Sequence, residues 1–227
     1  MDGMHMHGGT VPSMAWAMTG GETWAAAGSF LAMWVAMTVA MMLPSMAPTL
    51  WRYRRALARA GEMYAGGLTT LAGLAYLVVW TALGAIAFLA GVVLAGAQTR
   101  WPELSRVAPI AAGMVVLVAG CAQLTRWKAR HLAMFRVAGG LGPRVRADAG
   151  VAWRYGLRLG RDCGASCAGL MASLLVLGAM DVRAMAIATV VITVERLAPA
   201  GERVARAIGL AAIVVGSVLI ARGAGLG

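Results

Sequence analysis

Long apolar segments, separated by short segments rich in arginine, constrain this chain more than any other feature of its sequence. Six of these segments approach or reach the roughly 20 apolar residues that a helix needs to cross about 30 Å of hydrocarbon. Of the 227 residues, 60% are hydrophobic and only 13% are charged, which is more apolar surface than a soluble domain of this size can bury. The sequence therefore predicts an all-α fold, a polytopic transmembrane helical bundle with about six transmembrane helices.

The boundaries of the predicted spans follow from the apolar segments and the charges that flank them. We expect a single transmembrane domain over 28–222, preceded by a tail over 1–27 that contains methionine and histidine. The predicted helices lie at about 28–50, 68–96, 110–124, 163–180, 184–197 and 207–222.

The longest predicted connection, 125–162, carries nine basic residues against two acidic ones. An excess of lysine and arginine marks cytoplasmic loops, so this segment is predicted to be cytoplasmic. Within it, Val151, Tyr155 and Leu159 repeat every four residues beside three arginines. This pattern is typical of an amphipathic helix that lies on the cytoplasmic membrane surface.

Charge also predicts the orientation. The tail over 1–27 has no lysine or arginine, which places it outside the cytoplasm, and six spans return the C-terminus to the same side. The net charge of +11 raises the question of nucleic-acid binding, but the basic residues lie in short loops without interleaved aromatic residues. We therefore predict a multi-pass protein of the bacterial cytoplasmic (inner) membrane whose partner is the lipid bilayer, not nucleic acid.

The first predicted span is rich in methionine. Met33, Met37 and Met41 lie four residues apart and form one stripe along a helix, with Met42 on the adjoining stripe. Pro44 cannot donate a backbone hydrogen bond, which predicts a kink near Met41 and Met42. We interpret Met41 and Met42 as candidate metal ligands, and Met33 and Met37 as packing residues or part of a transit path.

A second stretch places two thiols and a thioether at the same helical spacing. Cys163, Cys167 and Met171 fall at i, i+4 and i+8, so their sulfurs share one face of a helix. Thiolates favour Cu(I) or Zn(II), and added thioethers favour Cu(I). Cys121 is predicted at a similar depth near the inner end of the third span. Plain packing of these cysteines stays an alternative.

The histidines and two carboxylates offer further candidates. His5 and His7 alternate with methionines in the tail, a ligand set that suits copper, although an irregular tail without a metal is the alternative. His131 is either a ligand near the inner surface or a residue that faces lipid headgroups. Glu195 and Asp181 lie at predicted helix ends, where a carboxylate is readily solvated.

The chain resembles the DUF2182 family, whose members are described as predicted metal-binding integral membrane proteins of bacteria. The resemblance covers about 28–222 and implies a metal site in the membrane. This chain has Ser166 and His131 where the family tends to have cysteine, and Asp181 where it tends to have asparagine. The residues that carry the resemblance are Trp34, Met37, Met41, Met42, Leu43, Pro44, Pro48, Gln123, Leu124, Lys128, Gly160, Cys163, Cys167, Leu170, Met171, Glu195 and Arg196.

Three functions are compatible with these features. The leading hypothesis is a membrane protein that binds a soft transition metal, most plausibly copper with zinc as the alternative, and takes part in its transport or delivery. The second is a non-catalytic structural or anchoring subunit of a larger membrane complex. The third, a membrane thiol oxidoreductase, ranks last because the chain has no Cys-x-x-Cys motif. We expect no enzymatic activity. Possible partners are a membrane or periplasmic protein and a second copy of the chain.

Overall fold

All regular secondary structure in the described part of the chain is helical. The computed structural model describes residues 23–101, 103–137, 148–178, 182–198 and 200–225. These residues form seven helices, which confirms the all-α fold class. In chain order the helices are α1 (Thr23–Arg59), α2 (Ala65–Arg100), α3 (Glu103–Gln123), α4 (Arg126–Val137), α5 (Ala149–Gly178), α6 (Val182–Leu197) and α7 (Gly201–Gly223).

Among the described residues, four helices are long and apolar enough to cross a membrane. These segments are Trp24–Arg59, Ala65–Arg100, Arg106–Gln123 and Gly201–Gly223. Many large apolar side chains on them are exposed, as expected for surfaces that face lipid. The helices therefore indicate a membrane protein. Six spans are not confirmed, because α5 carries charged residues along its first half and α6 has only 16 residues.

The first helix is longer than predicted. α1 has 37 residues and continues through Pro44 and Pro48 to Arg59, whereas the predicted helix ends at residue 50. A proline removes one backbone hydrogen bond, a loss that packed membrane helices tolerate. The basic segment after residue 50 is therefore the last part of a helix instead of a loop.

The predicted cytoplasmic connection also contains more helix than expected. Its first part forms α4, and its second part joins the predicted fourth span in one continuous 30-residue helix, α5. The repeat of Val151, Tyr155 and Leu159 beside arginines predicted a surface helix before the fourth span, and the structure joins the two without a break. A change in polarity does not end a helix, however, since its backbone hydrogen bonds form irrespective of what surrounds the side chains.

Glycine allows α5 to approach α2 closely. Gly156, Gly160 and Gly164 lie four residues apart on α5 and face α2. A Cβ atom on Gly156 would overlap the carbonyl oxygen of Ala72, and one on Gly160 would lie 2.8 Å from Cβ of Val79. We call these three glycines the α5 glycine seam. Small residues at such a seam let backbones pack at short distance in a membrane, where helix association depends on close van der Waals contact.

A second glycine contact joins α3 and α7. A Cβ atom on Gly120 would lie 2.8 Å from the carbonyl oxygen of Gly209, and one on Gly216 would lie 2.9 Å from that of Gly113. These positions recur seven residues apart on both helices, so the two helices remain in contact over two turns.

A tryptophan joins α1 to α2. The indole Nε1 of Trp34 donates a hydrogen bond to the carbonyl oxygen of Trp80 at 2.9 Å. The same ring lies against Gly84, where an added Cβ atom would come within 3 Å of three ring atoms. Trp34 is buried, so this polar contact satisfies its only side-chain donor inside the bundle.

Alanine should lower the stability of the protein at a glycine of the α5 glycine seam but not at a glycine that faces open space. We expect Gly156→Ala to destabilise the protein by about 1–3 kcal/mol, because the new methyl group forces α5 away from α2. Gly73→Ala in α2 is the matched control, since a Cβ atom there would meet nothing within 4 Å. Thermal unfolding in detergent, followed by circular dichroism, measures the difference, and equal midpoints for both variants would contradict the close contact.

Candidate metal centre

The two cysteines of α5 lie side by side in the core of the bundle. Cys163 is 0% exposed and Cys167 is 2% exposed. They occupy the helix face adjoining the glycine seam, which brings Cys163 against α2. There the Tyr76 hydroxyl oxygen lies 3.1 Å from the Cys163 Sγ atom, within hydrogen-bond distance for a sulfur group.

Thioethers from α1 and α5 surround the thiol pair. The Met42 Sδ atom lies 3.9 Å from the Cys163 Sγ atom. Met41, Met46 and Met171 are buried in the same apolar cluster as the two cysteines. The structure thus brings together soft ligands that are more than 100 residues apart in the sequence.

Arg196 of α6 binds both thiol sulfurs. Its Nη2 atom donates to the Sγ atoms of Cys163 at 2.9 Å and Cys167 at 3.0 Å. It also donates to the Ser166 hydroxyl oxygen at 3.2 Å, and its Nη1 atom donates to the Ser45 hydroxyl oxygen at 3.0 Å. The side chain is buried, and arginine stays protonated in proteins. A fixed positive charge therefore lies directly beside the two sulfurs.

A buried ion pair lies next to this cluster. Nζ of Lys128 is 2.8 Å from Oε2 of Glu195, and the two side chains are 4% and 3% exposed. The side-chain amide of Gln123 donates to Oε1 of Glu195 at 3.1 Å. The carboxylate of Glu195 is thus held by α3 and α4, while the next residue, Arg196, turns to the cysteines.

The structure places the predicted ligands in two groups. Met41, Met42, Cys163, Cys167 and Met171 meet in one apolar cluster. The other candidates lie elsewhere or outside the described residues.

Cys121 is exposed on α3 and does not join the cysteine pair. His131 is partly buried on α4, where its Nδ1 atom lies 3.4 Å from Oδ1 of Asp162 and its ring packs edge-on against Trp127. His131 is therefore near the start of the cysteine stretch, but its Nδ1 atom lies beside a carboxylate instead of the thiols. His5 and His7, like Asp181, lie outside the described residues.

The chemistry of the centre follows from its donor atoms. Within the described ranges, no group of three or more histidine, cysteine, aspartate and glutamate side chains is placed to hold a metal ion. The candidate donors are instead two thiols with neighbouring thioethers, which are soft ligands that suit Cu(I) far better than calcium or magnesium.

Reasoning from the sequence missed the roles of Tyr76 and Arg196. From the sequence, Arg196 was included only among the residues that carry the family resemblance, although it follows an apolar segment and is preceded by an acidic residue. The sequence did contain a signal for the neighbouring ion pair. Lys128 is the only lysine among twenty lysine and arginine residues, and an exception to such a bias indicates a position with a specific contact.

A buried pair of thiols with adjacent thioethers, held among helices apolar enough to cross a bilayer, is a candidate soft-metal centre of a membrane protein. The chain matches the family model PpoB2, described as a copper chaperone, over residues 31–219, and it belongs to this family. The matched range includes every residue of the cluster described above. Searches of curated proteins and of solved structures found no match.

The buried ion pair predicts strong coupling between its two members. We expect Lys128→Met to destabilise the protein by about 3–5 kcal/mol, because it leaves the Glu195 carboxylate buried without its cation. The double variant Lys128→Met/Glu195→Gln should recover much of this loss. Unfolding in detergent provides the measurement.

Arg106→Met is the matched control for this experiment. Arg106 pairs with Glu103, but both side chains are largely exposed, so little change is expected. If the Lys128 variant were as stable as the Arg106 variant, the Lys128 pair would not be the structural interaction that its geometry indicates.

Proposed function

We propose that this protein binds Cu(I) through the thiolates of Cys163 and Cys167 and delivers it to an acceptor protein. The observation that carries the proposal is the pair of buried sulfurs, both contacted by Arg196, with the Met42 thioether 3.9 Å from one of them. The family's description as a copper chaperone supports the same metal.

The ligand set supports copper in its monovalent form. Cysteines lose their protons when they bind a metal, and thiolates with thioethers are the ligands that favour Cu(I). Cys163 and Cys167 are one helical turn apart, so both can reach one ion without a change in the backbone. Met42 is placed to add a neutral third donor.

Charge distinguishes copper from zinc at this position. A Cu(I) ion with two thiolates carries a net charge of −1, which the guanidinium of Arg196 neutralises. A Zn(II) ion with two thiolates is already neutral, so it gains less from the neighbouring guanidinium. Because attraction between opposite charges is strong in an apolar environment, the arrangement favours Cu(I). Lys128 and Glu195 neutralise each other and do not change this count.

We further propose that the protein acts in the bacterial cytoplasmic membrane, with both termini outside the cytoplasm, as a non-catalytic carrier. The asymmetry of basic residues supports this orientation. The resemblance to DUF2182 fits the same class of metal-binding membrane protein. The glycines of α3, α5 and α7 that contact a neighbouring helix give no support to the alternative role as an anchoring subunit, because their partners lie within this chain.

Cu(I) binding to purified protein in detergent tests the proposal. Under anaerobic, reducing conditions and in competition with a chromophoric Cu(I) chelator, the wild type should retain one tightly bound ion. Cys163→Ser/Cys167→Ser should lose it, while Cys121→Ser, which changes an exposed cysteine, should retain it. Equal retention by all three proteins, or no copper in the wild type, would overturn the proposal.

The charge argument makes a separate prediction for Arg196. We expect Arg196→Gln to weaken Cu(I) binding by roughly 10–100-fold, the usual effect of removing a residue that supports metal ligands. Zn(II) binding should weaken less, so the preference for Cu(I) over Zn(II) should fall. Arg196→Lys, which keeps the charge, should preserve more of that preference. Parallel losses for both metals in both variants would show that Arg196 acts only through packing.

A further inference from the structure

A small apolar cavity beside the thiol pair is lined by three methionines from three different helices. They are Met37 of α1, Met171 of α5 and Met185 of α6, and Trp34 completes the wall with leucines of α5. Sixteen methionines are spread over the chain, yet three converge here from positions far apart in the sequence. Thioethers are uncharged ligands that select soft ions.

Met171 lines the cavity and also belongs to the buried cluster that holds the two cysteines. Met171 lies four residues after Cys167, about 6 Å along the same face of α5. Met37 lies five residues before Met42, whose thioether is 3.9 Å from Cys163. Both α1 and α5 therefore carry soft donors at the cavity as well as at the cysteines.

The three methionines that line the cavity differ in their exposure. Met37 and Met185 are half-buried, whereas Met171 belongs to the buried core. Met37 and Met185 pack against the buried cluster that holds Met171 and the two cysteines. An ion that entered here would move from thioethers alone to thioethers with thiols.

We propose that Met37, Met171 and Met185 form a second, weaker site that binds a monovalent soft cation, Cu(I) or Ag(I), in transit to Cys163 and Cys167. This inference rests on the proposed function, because it assigns a route to the same copper. Neutral thioethers cannot offset the charge of a divalent ion in an apolar cavity, but they suit a monovalent one.

The weakness of such a site is consistent with its role. A binding position on a route must hold the ion strongly enough to attract it and weakly enough to release it. Two thiolates bind a soft cation more strongly than three thioethers, since they contribute negative charge. The order of the two ligand sets along α5 therefore gives the ion a direction, towards the cysteines.

Equilibrium dialysis against Ag(I) tests the proposal with the full-length protein in detergent. In the Cys163→Ser/Cys167→Ser background with Cys121→Ser added, which removes the exposed thiol, we expect one ion per chain to stay bound weakly, in addition to any bound by the tail. Adding Met37→Leu, Met171→Leu and Met185→Leu should remove it. These replacements nearly conserve side-chain volume, so the fold should persist, which circular dichroism checks.

Met33→Leu/Met63→Leu/Met114→Leu in the same background is the matched control, because these three methionines are exposed. It should bind as much Ag(I) as the background protein. Equal binding by both triple variants would overturn the second site.

The rate at which protein with both cysteines takes up Cu(I) distinguishes this inference from the proposed function. With both cysteines present, the three cavity replacements should slow uptake of Cu(I) while its final tight stoichiometry stays at one. An unchanged rate would overturn the transit role and leave copper binding at the cysteines standing. Absence of tight Cu(I) in the wild type would instead contradict the proposed function itself.

Discussion

The close approach of α5 to α2 is the constraint on which the candidate metal centre depends. A Cβ atom at Gly156 would overlap the backbone of α2, and one at Gly160 would lie 2.8 Å from Cβ of Val79, so these two positions need glycine at this distance. The approach presses Cys163 against Tyr76 and aligns the adjoining face of α5 with the thioethers of α1. Helices in a membrane gain little from excluding water between them, so contact of this kind has to supply the stability.

The two neighbouring buried cations, Lys128 and Arg196, have different kinds of partner. Lys128 forms an ion pair with Glu195, a self-contained arrangement that bridges α4 and α6. Arg196 instead spreads its donors over sulfur and hydroxyl groups from α1 and α5. Since an arginine fork makes several directed hydrogen bonds at once, it fixes the relative positions of three helices around the thiols. Arg196 thus holds the helices together and also places a positive charge beside the thiols.

The sequence predicted the helices well because apolar segments of this length have few other folds available in a bilayer. It predicted the boundaries less well: α1 continues through Pro44 and Pro48 to Arg59, and α5 begins at Ala149, whereas the predicted fourth span begins at residue 163. For the centre, helical spacing identified Cys163, Cys167 and Met171, since neighbours on one helix face are a local property. Arg196 and Tyr76 could not be assigned in the same way, because their contacts arise only when distant helices pack.

The hydrogen bond from Trp34 to the Trp80 carbonyl has a mechanical consequence for α1. It fixes one point of that helix on α2, with the ring seated against Gly84. Met42 and Met46 lie eight and twelve residues further along, about 12 Å and about 18 Å from this point. Arg196 holds α1 a second time, through Ser45, about 16 Å along the helix from Trp34. The Met42 thioether lies between these two fixed points, so α1 cannot tilt about Trp34 and carry it away from the thiol pair without breaking the contact between Arg196 and Ser45.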